Sequence, residues 1–148
     1  MMSLDDKFAI QEVITQYSYT YDTKDAEGFA ALFTDDAVWE SFASDAPTPR
    51  IRLESRAAIR TWAAQQHQGR VADITTRHYQ SGTLFDALTS EAAHTRTMVL
   101  VTHQGSSDAT PRVRLSGVYH DQWQKTPEGW RLAYRTLRHD RTLSSLSE

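Results

Sequence analysis

Thr75-Thr76-Arg77-His78-Tyr79-Gln80-Ser81-Gly82-Thr83-Leu84-Phe85-Asp86-Ala87-Leu88 is where the chain changes its period. Upstream of it, apolar residues recur at helical spacing. From Thr75 onward they shift towards every second residue, and β-branched and aromatic side chains become frequent. Further extended runs follow near residues 93–104, 112–125 and 130–139. Turn chemistry separates them: Thr89-Ser90-Glu91, the polar stretch from Gly105 to Pro111, and Thr126-Pro127-Glu128-Gly129. The second half is therefore expected to be an antiparallel meander. Strands of this length twist strongly, and Gly82 and Gly117 are expected as bulge or bend points.

Working back from that meander, Ser3 followed by Asp6 reads as a helix N-cap with an acid in the first turn. Ile10, Val13, Ile14, Tyr17 and Tyr21 then form the apolar stripe of a first helix ending near Tyr21. Asp25 caps a short second helix with Phe29, Leu32 and Phe33 on its apolar side, and Asp35-Asp36 breaks it. Residues 37–42 read as a strand, and the loop containing Pro47 and Pro49 as a lid. Ser55 starts a third helix, with Ala58, Ile59 and Trp62 on one face, ending at Gly69. Helices first and sheet afterwards make an α+β fold. A curled sheet closed by three or four helices encloses a cone-shaped cavity.

The 148 residues suit one domain spanning 1–148, of which 140–148 read as a polar tail anchored by Leu143 and Leu146, either frayed or packed on a neighbouring subunit. Net charge is -3 and the cations are interspersed with acids, so nucleic acid is not an expected partner. With no cysteine there are no disulfides, thiolate nucleophiles, Fe–S clusters or Cys-bound zinc. The start, Met1-Met2-Ser3-Leu4-Asp5-Asp6, lacks the basic and apolar regions of a secretory leader, and no apolar run approaches membrane-spanning length. The expectation is a soluble, cytoplasmic protein without a membrane partner.

The segment Tyr21-Asp22-Thr23-Lys24-Asp25, then Leu32-Phe33-Thr34-Asp35-Asp36-Ala37-Val38-Trp39, and the pair Arg77-His78 together resemble the SnoaL-like branch of the nuclear transport factor 2-like superfamily. Within it the chain looks most like the scytalone dehydratases, and more loosely like dehydrochlorinase and bile-acid dehydratase relatives. The resemblance runs from about Leu4 to Arg138. It implies an α+β barrel, a homo-oligomer (trimer or dimer), and an active site in which a Tyr-Asp pair ends the first helix. There the Asp orients a His on the sheet, and a second His follows on the next strand. The matching positions are Tyr21, Asp22, His78 and His103, and Arg135 matches an active-site arginine of the dehydrochlorinases. The dehydratases carry a second substrate-facing tyrosine where this chain has Ser41, with Trp39 on the same strand face. Their Ser and Asn supports fall near Gly117 and Tyr119.

Elimination beside a carbonyl requires a base for the α-proton and a donor for the enolate or departing hydroxyl. A carboxylate bonded to one nitrogen of an imidazole fixes its tautomer and aims the other nitrogen at substrate. Asp22 and His78 fit those roles, with His103 and Tyr21 polarising the carbonyl. Trp39, Ser41, Tyr119 and Arg135 are candidates for the substrate pocket, although simple alternation along 130–135 puts Arg135 on the face opposite Trp130 and Leu132. His67, His94, His120 and His139 read as surface residues. Asp22, His78 and His103 also fit a two-His, one-carboxylate iron site by ligand type, but the resembling enzymes use these positions without metal, and no phosphate loop or dinucleotide fingerprint is present. The expected activity is thus a cofactor-independent dehydratase-type lyase acting on a small cyclic or polyketide-like hydroxy-carbonyl compound. An isomerase or cyclase using the same dyad, or a non-catalytic small-ligand-binding module, remain alternatives.

Overall fold

Ile10, Val13, Ile14, Tyr17 and Tyr21 are all buried, together with Ser18, on one side of helix α1 (Leu4–Asp22). Ser3 caps it by accepting from the Asp6 amide, and the Asp6 carboxylate accepts in turn from Lys125 Nζ and Trp130 Nε1, each at 2.8 Å. That fastens the start of the helix to the last hairpin of the sheet. The computed structural model describes residues 3–146. After α1 come α2 (Ala26–Ala30), β1 (Phe33–Phe42), β2 (Ile51–Glu54), α3 (Arg56–Gln68), β3 (Ile74–Leu88), β4 (Ala92–Gly105), β5 (Arg112–Thr126) and β6 (Gly129–His139), then a 3-10 turn at Ser144–Leu146.

The strands form one mixed sheet in the order β2-β1-β6-β5-β4-β3, curved but unclosed. The four-strand meander is antiparallel, as its turns indicate. The sheet as a whole is not, because β1 lies parallel to β6. The chain leaves β1 through the short antiparallel β2, crosses with α3, and traverses the meander before β6 returns beside β1. β3 is thus an edge strand, whose outward amides and carbonyls need partners. Side chains on or next to α1 supply several: Lys24 Nζ donates to the Ile74 carbonyl at 3.0 Å, and Asp22 Oδ2 accepts the His78 amide at 2.9 Å. One rung further, Gln80 Nε2 donates to the Ile14 carbonyl and Ser18 Oγ.

Several boundaries differ from the sequence reading. The second helix stops at Ala30, and Phe33 opens β1 opposite Leu132. Asp35 and Asp36 lie where the register of β1 slips, so they are exposed strand residues rather than a helix stop. Residues 51–54 form an edge strand too short for its alternation to stand out after the prolines. Gly82, at φ +67, sits at a register slip between Ser81 and Leu84, as expected of a bulge. Gly117 is not a bulge: a Cβ there would come within 2.4 Å of the Arg138 carbonyl oxygen, so it permits close strand approach. The start of the tail is pinned to its own chain, Ser44 donating to the Arg141 carbonyl and the Leu143 amide to Asp45. The side chain of Leu146, residues 147–148 and the first two residues of the leader reading lie outside the described residues.

The largest departure is on β6. Trp123 pairs with Leu132 but Gln122 pairs with Tyr134, so Ala133 is an extra residue that reverses the alternation. Trp130 and Leu132 face the core before it, and Arg135 and Leu137 after it. Arg135, read from alternation as facing away, is instead 0% exposed. Its guanidinium donates to both Asp121 oxygens at 2.8 Å and lies 4.2 Å from the Tyr17 ring centroid and 3.8 Å from that of Tyr119. Removing one member of a buried pair strands the other charge in low dielectric. Asp121→Asn and Arg135→Met are each expected to lower stability by about 3 kcal/mol or more, read as a lower urea midpoint at constant slope. Losses of a few tenths would contradict this account.

Candidate functional site

Asp22 is the last residue of α1, and its carboxylate is fully engaged. Oδ1 accepts from the Thr76 hydroxyl at 2.8 Å and from His78 Nδ1 at 2.7 Å, while Oδ2 accepts the His78 amide. Thr76 and His78 share the inner face of β3, which alternation along that strand dictates. Burial by itself would raise the Asp22 carboxyl, but the hydrogen bonds and charge of His78, with Thr76, hold it below the ordinary carboxylate range. With Nδ1 occupied, Nε2 is the ring nitrogen of His78 that has no partner among the described residues.

His78 lines a cavity of about 470 Å³ against the concave face of the sheet. A second groove of about 460 Å³ follows the outer seam of α1 and β3, and His78 and Asp22 border it as well. The cavity brings together most of the residues singled out from sequence: Tyr21, Trp39, Ser41, His78, His103 and Tyr119. Trp39 stacks on Trp62 of α3, with ring centroids 5.1 Å apart, giving a flat aromatic wall. Tyr21 packs edge-on against His78, 5.0 Å between centroids, and against Phe29, so it braces the imidazole. Burial pushes the Tyr21 phenol well above its usual range, with Tyr17 and Asp22 adding to the shift. His103 lines the cavity one register step from His78, since Thr76 pairs with His103 and His78 with Val101. Burial, then the charges of Arg114, His78 and Arg70, push its imidazole below the usual range. Arg135 does not line the cavity; it lies behind Tyr17 and Tyr119.

Several functional candidates escaped the sequence reading. Tyr17 was visible only as a core position, yet its hydroxyl accepts from Trp39 Nε1 at 3.1 Å and from the Tyr119 hydroxyl at 3.5 Å. Its own proton has no acceptor among the described residues, and the ring lines the cavity. His139 was read as a surface residue. After the Ala133 bulge it follows Arg135 and Leu137 inward, and Nε2 lies 2.9 Å from the Ser41 hydroxyl, at the position where a tyrosine was missing. His67 was also read as surface but is buried on α3 against Tyr21, 4.7 Å between centroids. His94 and His120 are exposed, as read. Among the described residues, no three His, Asp or Glu side chains converge in a metal-binding arrangement.

Three of these histidines carry a common pH signature. Burial is the largest cause lowering His67, His103 and His139, followed by nearby cations: Lys24 for His67, Arg114 for His103 and Arg50 for His139. In an unfolded chain they titrate near the ordinary value of about 6.5. As pH falls through that value the unfolded chain takes up protons first, so folding stability declines, and the decline ends once the folded histidines protonate. Asp22, whose carboxyl is held below the ordinary range in the folded chain, adds a second loss only as pH falls below about 4, where the unfolded carboxylate takes up its proton first. The urea midpoint is therefore expected to be lower at pH 5.5 than at pH 7.5, with a smaller difference in His67→Gln. A flat profile would contradict the burial assigned to these rings.

No curated protein matches the sequence. Among solved structures, the Rv3472 protein of Mycobacterium tuberculosis, of unknown function and solved as an Asp-to-Asn variant, is 30% identical. The match covers 95% of this chain and 75% of that one, with a TM-score of 0.77. A candidate scytalone dehydratase from Novosphingobium aromaticivorans is 26% identical over 92% of this chain and 85% of its own, TM-score 0.73. An NTF2-like protein with a cystatin-like fold from the same organism shares the architecture at a TM-score of 0.79, with 23% identity over 97% and 88% of the two chains. The SnoaL-like domain matches residues 2–136. With nearly its whole length matched and its curved sheet shared with such proteins, the chain belongs to the SnoaL-like domain family of the NTF2-like superfamily.

Proposed function

We propose that this chain, as one domain, is a dehydratase-type lyase that eliminates water from a small cyclic hydroxy-carbonyl compound by proton transfer. The observation that carries the reading is the 2.7 Å contact between Asp22 Oδ1 and His78 Nδ1 at the wall of an aromatic cavity. Asp22 holds the proton on Nδ1, so Nε2 presents a lone pair as the base for the proton beside the carbonyl. The carboxylate then stabilises the imidazolium that forms.

Charge developing on the carbonyl oxygen needs a donor. Tyr17 is suited to it: two donors already occupy its oxygen, which leaves its O–H for the substrate. The Arg135 guanidinium on the faces of Tyr17 and Tyr119 polarises both rings towards stabilising negative charge. The proton taken up by His78 then passes to the departing hydroxide, from Nε2 itself or relayed through His103 or the Ser41–His139 pair at the same cavity, so that water leaves and His78 is neutral again. Water is lost without any change of oxidation state, so the chemistry is complete with protein groups alone.

The match to a candidate scytalone dehydratase supports the class of reaction. Isomerisation and cyclisation begin with the same abstraction, and product analysis separates them. An outward apolar band, with Tyr79, Leu84 and Met98 each more than half exposed on β3 and β4, supports a homo-oligomer in solution. No helix among the described residues is long and apolar enough to cross a membrane.

The test is a panel of cyclic β-hydroxy ketones assayed for elimination. Asp22→Asn and His78→Ala are expected to lower kcat/KM by about a hundredfold or more with unchanged circular dichroism. Tyr17→Phe is expected to lower kcat by about tenfold or more while leaving KM nearly constant. Full activity in Asp22→Asn would overturn the mechanism.

A further inference from the structure

The chain has thirteen arginines, and their partners sort them. Six form ion pairs with carboxylates at 2.5–2.9 Å. Four more donate to backbone carbonyls. The remaining three, Arg50, Arg70 and Arg114, have neither kind of partner among the described residues, and all three line the same cavity as His78. Arg141, one of the carbonyl donors, lines it too.

Their placement comes from four separate parts of the chain: the loop before β2, the turn after α3, strand β5, and the segment after β6. Arg114 is there through a specific distortion. Val101 pairs with Leu115 but Thr102 pairs with Val113, so Arg114 is an extra residue in β5. A bulge of this kind re-aims a side chain, and the consecutive residues Arg114 and Leu115 both line the cavity, which strict alternation forbids. The guanidiniums are close enough to repel: burial first, then Arg70 and Arg141, push Arg114 below its usual range.

The chain carries nineteen acidic residues against sixteen basic ones, yet no described Asp or Glu lines this cavity. Asp22 reaches it only from behind His78, and Asp140 only through its effect on His139. Cations gathered without carboxylate partners around one cavity repel one another, and a group of opposite charge there relieves that repulsion. Guanidinium, planar and weakly hydrated, is matched to oxyanions that accept two parallel hydrogen bonds. The cavity behind is lined by Trp39, Trp62 and Tyr21, and its volume of about 470 Å³ is in the range of small-molecule sites.

We propose that the cavity recognises a cyclic ligand bearing an oxyanion, with Arg50, Arg70 and Arg114 holding the anionic group while the ring lies against Trp39 and Trp62 beside His78. The proposal names the substrate class for the elimination above and rests on that reading for the reaction, but recognition can be measured without turnover. The oxyanion could be a carboxylate of the substrate or a phosphate attached to it.

Isothermal titration calorimetry with 2-naphthoate, 2-naphthyl phosphate, neutral 2-naphthamide and inorganic phosphate tests it. At least one naphthyl anion is expected to bind ten times more tightly than the amide, and the tighter of the two identifies the oxyanion. Arg70→Gln and Arg114→Gln are expected to remove most of that preference, while Arg60→Gln, whose partner Glu27 lies on the outer surface, leaves it unchanged. Equal binding of anion and amide, no binding of either anion at 1 mM, or inorganic phosphate binding as tightly as a naphthyl anion would each overturn the proposal. His78→Ala separates the two readings. Anion binding kept with turnover lost supports both. Turnover kept in that variant refutes the dyad alone, and anion binding absent in an enzyme that still depends on His78 refutes the oxyanion site alone.

Discussion

The carboxylate of Asp22 is the constraint on which the arrangement turns. It ends α1, and in one group it satisfies a hydroxyl, a backbone amide and a ring nitrogen of the edge strand β3. An edge strand exposes amides that must find partners or remain open to foreign strands. Here Asp22 at the end of α1 accepts the His78 amide, Lys24 just beyond it donates to the Ile74 carbonyl, and Gln80 of β3 donates back to the Ile14 carbonyl of α1, so docking α1 and orienting His78 are one event. Neutralising Asp22 removes more than a charge. It leaves Thr76, the His78 amide and the His78 ring competing for an amide side chain that can accept at only one of its two ends.

The same economy holds beneath the cavity. Arg135 and Asp121 are sealed in the core, where an apolar pair of similar volume serves stability as well or better. What the ion pair adds is position. The guanidinium lies against Tyr17 and Tyr119, and the Tyr17 hydroxyl is also held by the Trp39 indole. The phenol facing the cavity is therefore fixed by Arg135 on its ring and by the Trp39 indole and Tyr119 hydroxyl on its oxygen, an order that would lower the cost of organising the site in the proposed elimination.

Much of this was legible in the sequence, for physical reasons. The stripe of α1 and the long alternating strands are strong periodic signals, whereas Asp22, His78 and His103 stood out as a group through the resemblance to the SnoaL-like branch, spacing alone leaving Asp22 and His78 only possible partners. What was hidden lies behind breaks in period. The extra residue at Ala133 turned Arg135 and His139 inward, and the extra residue at Arg114 turned that side chain into the cavity. Neither of these two bulges has a turn motif or a glycine to mark it, as Gly82 marks the one in β3, so counting by twos fails beyond them. β2 was lost for a different reason: four residues at a sheet edge carry too little pattern. Tyr17 was read as a core residue because its spacing is that of the core. Its role comes from hydroxyl partners that lie 22 and 102 residues away in sequence.

The central claim is that Asp22 holds His78 in the tautomer protonated at Nδ1, with Nε2 unprotonated. Long-range 15N–1H correlation spectra of the imidazole rings at pH 8, assigned with His78→Gln, report this directly. His78 is expected to show a protonated Nδ1 and a bare Nε2, a preference that weakens in Asp22→Asn. A His78 ring protonated at Nε2 with a bare Nδ1, unaffected by the substitution at Asp22, would contradict it.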